Sequence, residues 1–143
     1  MTRVFLDTNI LVYANDGRDP RKQRAAVRLV SQCMEERSGV ISTQVLQEFA
    51  SVTLYKLGLA AEVVLGRLSR FESLEIVQLT PALIRRAVEL HVQYQLNYWD
   101  AAIVAAAEAA RCRQLWSENF SGQSRFGTLV VQNPLEAEPD ALS

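Results

Sequence analysis

Short β-rich runs alternate with helical patterns along nearly the whole chain. The runs fall at Val4–Leu6, Val40–Ser42, Leu74–Leu79 and Thr128–Val131, with a weaker one at Leu115–Ser117. Alternation of this kind predicts an α/β fold: a mostly parallel central sheet of about five short strands with helices on both faces. The chain has 143 residues, 49% of them hydrophobic, which suits one compact domain with its own core and not two. That domain is expected over residues 1–135. Residues 136–143, EAEPDALS, carry no apolar pattern and are expected to fray.

The helix signals between the runs are specific. Asp19 followed by Pro20 predicts an N-cap with proline in the first turn of a helix reaching Arg37, whose apolar side holds Ala25, Ala26, Leu29, Val30 and Cys33. A second pattern runs from Thr43 to Leu57 and stops at Gly58; another spans Ala60 to Phe71. Thr80 before Pro81 starts the next, and after Asn97 comes AAIVAAAEAA, a helix of small residues suited to close packing.

Several function classes are excluded early. Lys+Arg 15 against Asp+Glu 16 leaves no global field that would attract a polyanion or a membrane, so any such site is local. The first strand begins near Arg3, with no room for a signal peptide, and no later apolar run is long enough to span a bilayer; a cytoplasmic protein is expected. Cys33 and Cys112 stand alone in helical patterns, without the close pairing of zinc or dithiol sites.

Three carboxylates carry the functional reading. Asp7 follows the first strand directly, where open α/β sheets place their ligand crevice; it could equally cap a helix beginning at Asn9 or Ile10. Glu48 falls at the margin of an apolar helix face, where a solvated glutamate is ordinary. Asp100 sits three residues after Asn97, as an acid in a capped first turn would, yet it shares a face with Ile103 and Val104. If the three converge, like charges about 5 Å apart repel by roughly 3 kcal/mol per pair at an effective dielectric near 20, which a cation must offset. Oxygen-only donors select a hard ion, Mg²⁺ with Mn²⁺ as the alternative, and a water held by such an ion is a nucleophile for phosphodiesters. His91, the only histidine, lies far from the acids in sequence and is expected to be a partly exposed helix residue.

FLDTNILVYA, QEF within a helix, NYWDAAIVAAA and LWSENFSGQSRFGTLVVQNP resemble, in order and spacing, the motifs of PIN-domain ribonucleases, most closely the VapC-type toxins of bacterial toxin-antitoxin pairs. The resemblance runs to Pro134. It implies a parallel sheet with flanking helices, Mg²⁺-dependent RNA cleavage leaving a 5′-phosphate and a 3′-hydroxyl, a cognate antitoxin and a homodimer. By matching motif, Asp7, Glu48 and Asp100 become the metal-binding acids, with Thr8, Asn9 and Ser117 as polar support. Many relatives carry an acid where this chain has Asn119. That position supplies a neutral oxygen here, and Glu118 is the residue that would compensate, although strand alternation turns it away.

Arg18, Arg21, Lys22, Arg24 and Arg125 are candidate phosphate contacts, although DPRKQR also reads as a solvated helix start. Tyr98 and Trp99 offer stacking surfaces, but beside a packed helix they are expected in the core. Two other readings remain. An aspartyl-phosphate phosphatase would need an acid two residues after Asp7, where Asn9 stands. A degenerate domain of the same fold, binding RNA or a protein without cutting, is suggested by Asn119.

Overall fold

The computed structural model describes residues 2–118, 120 and 123–136. The expected α/β architecture is present. The strands are β1 (Val4–Leu6), β2 (Gly39–Ser42), β3 (Glu75–Val77), β4 (Gln114–Trp116), β5 (Arg125–Phe126) and β6 (Leu129–Gln132), and the helices are α1 (Thr8–Tyr13), α2 (Pro20–Glu36), α3 (Thr43–Ser51), α4 (Ala61–Phe71), α5 (Pro81–Tyr94) and α6 (Tyr98–Ala109). All strands but β5 run parallel, in the order β3-β2-β1-β4-β6-β5.

Every residue of β1 and β2 is buried, so both faces of the central strands are covered and their short apolar runs need no polar alternation. Phe5, Leu6, Ile41 and Leu115 are fully inaccessible in this core. Ala101 through Ala107 of α6 are buried as well. The small side chains let that helix lie close against β2 and α5.

The helix starts follow the sequence signals closely: Asp19 accepts from the N–H of Lys22, Thr80 from Leu83 and Asn97 from Asp100. Two elements depart from expectation. The sheet has six strands among the described residues, not about five, because two-residue β5 turns back through Gly127 and Thr128 to pair antiparallel with β6. Two residues leave no readable period. The helix expected over 43–57 is α-helical only to Ser51 and continues as a π-helical turn, Val52–Lys56, before Gly58 at φ +64° ends it. The buried hydroxyl of Thr53 donates to the carbonyl of Phe49, the acceptor that a regular α-turn would reserve for the backbone N–H of Thr53. Of the frayed segment expected over 136–143, the part from 137 on lies outside the described residues.

The strand order fixes where a site can form. From β1 the chain builds outward through β2 to β3, then returns to place β4 on the other side of β1. The crevice of such a sheet opens at that reversal, beyond the carboxyl ends of β1 and β4. Asp7 and Ser117 are the next residues after those two strands.

Two glycines test the packing. A Cβ on Gly39 would stand 2.8 Å from Leu74 Cδ2 and 3.0 Å from Cys33 Cβ, whereas one on Gly66, inside α4, would meet nothing within 4 Å. Gly39→Ala should destabilise by about 1–3 kcal/mol and Gly66→Ala should stabilise by about 0.5–1 kcal/mol. Urea midpoints of the two variants moving in the same direction would contradict this account.

Candidate active site

Asp7 takes the capping role, for a helix that begins at Thr8 rather than at Asn9 or Ile10. As N-cap of α1, with extended backbone, it accepts the Thr8 N–H on Oδ1 at 2.7 Å, and its carbonyl accepts from Ile10. Its other carboxylate oxygen, Oδ2, accepts from the Ser117 hydroxyl at 2.6 Å. Ser117 is itself only 2% exposed. One bond therefore joins the ends of the two strands that flank the reversal.

The neighbours hold this arrangement from both sides. Asn9 pairs twice with the Glu118 backbone, its amide donating to the carbonyl at 2.7 Å and its oxygen accepting from the N–H at 3.1 Å. That clamp anchors the segment carrying Ser117. Thr8 donates its hydroxyl to Glu48 Oε1 at 2.7 Å, so α3 presents its acid to the same crevice. Asp7, Thr8, Asn9 and Glu48 line one groove, with Val52 and Ser51 on a wall and the exposed Arg18 and Lys56 also lining it.

Asp100 keeps its place in the capped first turn of α6, where Asn97 accepts from its N–H at 2.9 Å. Its charge nonetheless reaches Asp7. Burial pushes the Asp7 carboxyl up to about 6; the Ser117 hydroxyl and Thr8 N–H pull it down, and the charges of Glu48 and then Asp100 push it up again. No cation appears among these influences. Among the described residues, no three His, Cys, Asp or Glu side chains stand close enough together to hold a metal ion as they are placed.

The remaining candidates divide. Glu118 turns from the acids: Tyr13 donates to its Oε1 at 2.6 Å and Lys22 Nζ lies 2.7 Å from its Oε2, above the Tyr13 ring. This contact raises the Tyr13 hydroxyl above its ordinary range. Lys22 is thus a counter-ion to Glu118 rather than a free phosphate contact. Arg18 lies at the groove but forks onto Asp16, which also accepts from the Arg18 backbone N–H. Arg125 stands on edge strand β5, opposite Val130 and level with the start of β1, well away from the carboxyl ends. Asn119 lies outside the described residues. His91 is exposed as expected, its ring Nδ1 bonded to the Leu96 carbonyl across the end of α5.

Sequence reasoning missed three residues near the crevice. Buried Asp16 was readable only as an Asp two residues before Arg18, the spacing of an Asx turn. Tyr13 and Lys56 gave no signal, the latter reaching the groove through the π-turn. Trp99 corrects an expectation: it is 63% exposed rather than packed in the core, because its position on α6 faces away from the sheet at the end of the helix. Tyr98 does pack against the core.

The raised Asp7 carboxyl sets a pH dependence for the metal-free protein. Its folded value, about 6, exceeds the ordinary 3.8, so the folded state binds more protons between the two and stability should fall as pH rises from about 4 to about 6. The loss attributable to Asp7 is on the order of 2–3 kcal/mol. Asp7→Asn should remove this slope and be no less stable at pH 7, since the amide oxygen can still accept from Thr8. Denaturant midpoints in EDTA across that range test it; a variant less stable at pH 7 would mean that the carboxylate's capping role outweighs its desolvation.

The PIN domain family model matches residues 4–121. No curated protein sequence matches the chain. Among solved structures, Mycobacterium tuberculosis VapC20, described as a Sarcin-Ricin loop cleaving toxin, superposes with a TM-score of 0.66 at 16% identity, covering 81% of this chain and 89% of that one. A toxin-antitoxin complex from Klebsiella pneumoniae gives a TM-score of 0.65 at 24% identity, covering 92% and 97%. VapBC2 from Rickettsia felis, bound to a DNA fragment from its promoter, gives 0.64 at 22%, covering 91% and 97%. Likeness at these identities establishes a common fold, and with a family model spanning most of the sequence, the chain belongs to the PIN domain family.

Proposed function

We propose that the chain is a divalent-metal-dependent endoribonuclease, the toxin of a toxin-antitoxin pair. The observation that carries this reading is the buried Asp7 at the strand-order reversal, held by a hydroxyl and an amide and facing the charges of Glu48 and Asp100 without a cation. Such a group is costly unless something positive joins it.

The donor set fits a hard divalent ion, because every candidate atom is oxygen. Asp7, Glu48 and Asp100 would hold it, with Mg²⁺ favoured and Mn²⁺ the alternative. When bound, the ion supplies an activated water and neutralises charge at the scissile phosphate. The chain's own contribution is positioning. Ser117 orients Asp7 Oδ2, Thr8 orients Glu48, and Asn9 holds the backbone that carries Ser117. The solved neighbours that share the fold include a Sarcin-Ricin loop cleaving toxin and a toxin-antitoxin complex, which supports RNA as substrate and an antitoxin as partner. A homodimer is part of the same reading.

The alternative, a domain that binds without cutting, draws on Glu118. With Lys22 and Tyr13 occupying its carboxylate, it does not replace the acid that relatives carry at the position of Asn119. A phosphoenzyme mechanism is disfavoured further, since the Asn9 side chain is spent on the Glu118 backbone.

Structured RNAs incubated with the pure protein should be cleaved only with Mg²⁺ or Mn²⁺, and Asp7→Asn, Glu48→Gln or Asp100→Asn should each lower the rate at least about 100-fold. Mg²⁺ should also raise the Tm of the wild type and not of Asp7→Asn. Equal cleavage by Asp7→Asn would remove the metal-nuclease reading, and RNA binding without cleavage in either metal would favour the degenerate one.

A further inference from the structure

Glu48 is a wall shared by two depressions. It also borders a second, open trough of about 420 Å³, lined by Gln44, Gln47, Glu48, Ser51, Leu79 and Trp99. Two features of this trough have no role in the fold. Trp99 exposes 63% of its surface, and its indole meets Tyr98 edge to face, with ring centroids 5.1 Å apart, instead of packing beneath the helix. Gln44 is only 4% exposed, yet its amide oxygen has no hydrogen-bond partner, the only buried side-chain nitrogen or oxygen of this kind among the described residues. The orientation of that amide is set by its neighbour. Nε2 donates to the Trp99 carbonyl at 3.2 Å, so Oε1 is necessarily the atom left unpaired.

We propose that this trough is a nucleobase subsite for single-stranded RNA, in which a base next to the scissile phosphate stacks on Trp99 and donates an N–H to Gln44 Oε1. The proposal rests on the ribonuclease reading above and names where that substrate's base is held. Every RNA base offers both parts of the contact, a π-face and a ring or exocyclic N–H, while an exposed indole is a sequence-tolerant stacking platform. Oε1 is buried in the free protein, so the contact requires the side-chain adjustment usual on binding to turn it toward the base. The placement relative to the acids follows from the two helices that build both sites. α3 carries Gln44 and Glu48 one turn apart, and α6 carries Trp99 and Asp100 consecutively. A base in the trough therefore lies beside the acids that flank the crevice, about one nucleotide from the phosphate they would face.

Binding of 5′-fluorescein oligo(U) and oligo(A) 12-mers to Asp7→Asn protein in EDTA, followed by anisotropy, tests the subsite separately from cleavage. Adding Trp99→Ala should raise Kd roughly 5- to 100-fold, and Trp99→Phe should restore most of the affinity. The slope of log Kd against log salt should not change, since no phosphate contact is removed. Unlabelled oligonucleotide should quench intrinsic emission, and Trp99→Phe should abolish the quenching even if Trp99→Ala folds poorly. Gln44→Met should weaken binding while leaving a stacking signal. Unchanged Kd in Trp99→Ala would overturn the proposal, as would a shift from dimer to monomer in sedimentation with Kd unchanged, which would assign the indole to a subunit contact. Mg²⁺-dependent cleavage with unchanged Trp99→Ala affinity refutes the subsite alone. Trp99-dependent binding without cleavage in any metal refutes the nuclease reading and leaves the subsite standing.

Discussion

The hydrogen bond from Ser117 to Asp7 joins residues 110 positions apart, and much of the crevice hangs from it. It exists because β4 returns to lie beside β1, which places the ends of both strands together. Asp7 then begins α1, Asn9 two residues on locks the Ser117–Glu118 backbone, and Thr8 draws in Glu48 from α3. The three residues Asp7–Asn9 thus tie the start of α1 to α3 and to the segment after β4. Several other described acids are paired with cations: Glu118 with Lys22, Asp16 with Arg18, Glu108 with Arg86 and Glu75 with Arg3. Asp7 receives dipoles only. Hydroxyl and amide donors stabilise the charge without cancelling it, which on the proposed reading is left to a cation from outside.

The strands and helix starts were legible because each rests on local physics. Val4 to Leu6 is continuously apolar because the strand is covered on both faces, and Asp19-Pro20 and Thr80-Pro81 announce helix starts through backbone groups within one turn. Where the deciding contact is long-range, the sequence is silent. The π-turn after Ser51 involves a buried hydroxyl that looks like any other helical threonine, and β5 exists only because β6 is there to pair with it. The three acids could be marked as candidates one by one, but nothing local distinguishes Asp100 the capped acid from Asp100 the neighbour of Asp7. The family motifs supplied that grouping.

Basic residues show the same limit in sharper form. DPRKQR was readable as a solvated helix start or as a phosphate-binding patch, and in the fold Lys22 is neither. It is spent on Glu118, 96 positions later, with Tyr13 between them. Arg18 is likewise committed to Asp16, although it remains at the groove. Trp99 errs in the opposite direction. An aromatic residue at the start of an alanine-rich helix reads as core, but the helix buries Ala101 onward and leaves the Trp99 side chain of its first turn exposed. Hydropathy says that an indole prefers burial; only topology says what is available to cover it.

Charge arithmetic narrows the proposed chemistry. On the proposed reading Asn119 contributes no charge and Glu118 is paired with Lys22, so the acids left to hold an ion are Asp7 and Glu48 in the groove and Asp100, whose charge reaches Asp7. One divalent ion against three carboxylates leaves a net negative site, which a phosphodiester approaches against repulsion. Two divalent ions would make it net positive before substrate arrives. The phosphate itself supplies both oxygen donors and negative charge. On the proposed reading, then, the substitution at Asn119 need not abolish catalysis. A second ion, if one takes part, would then be held by carboxylate together with substrate phosphate, as Mg²⁺ commonly is.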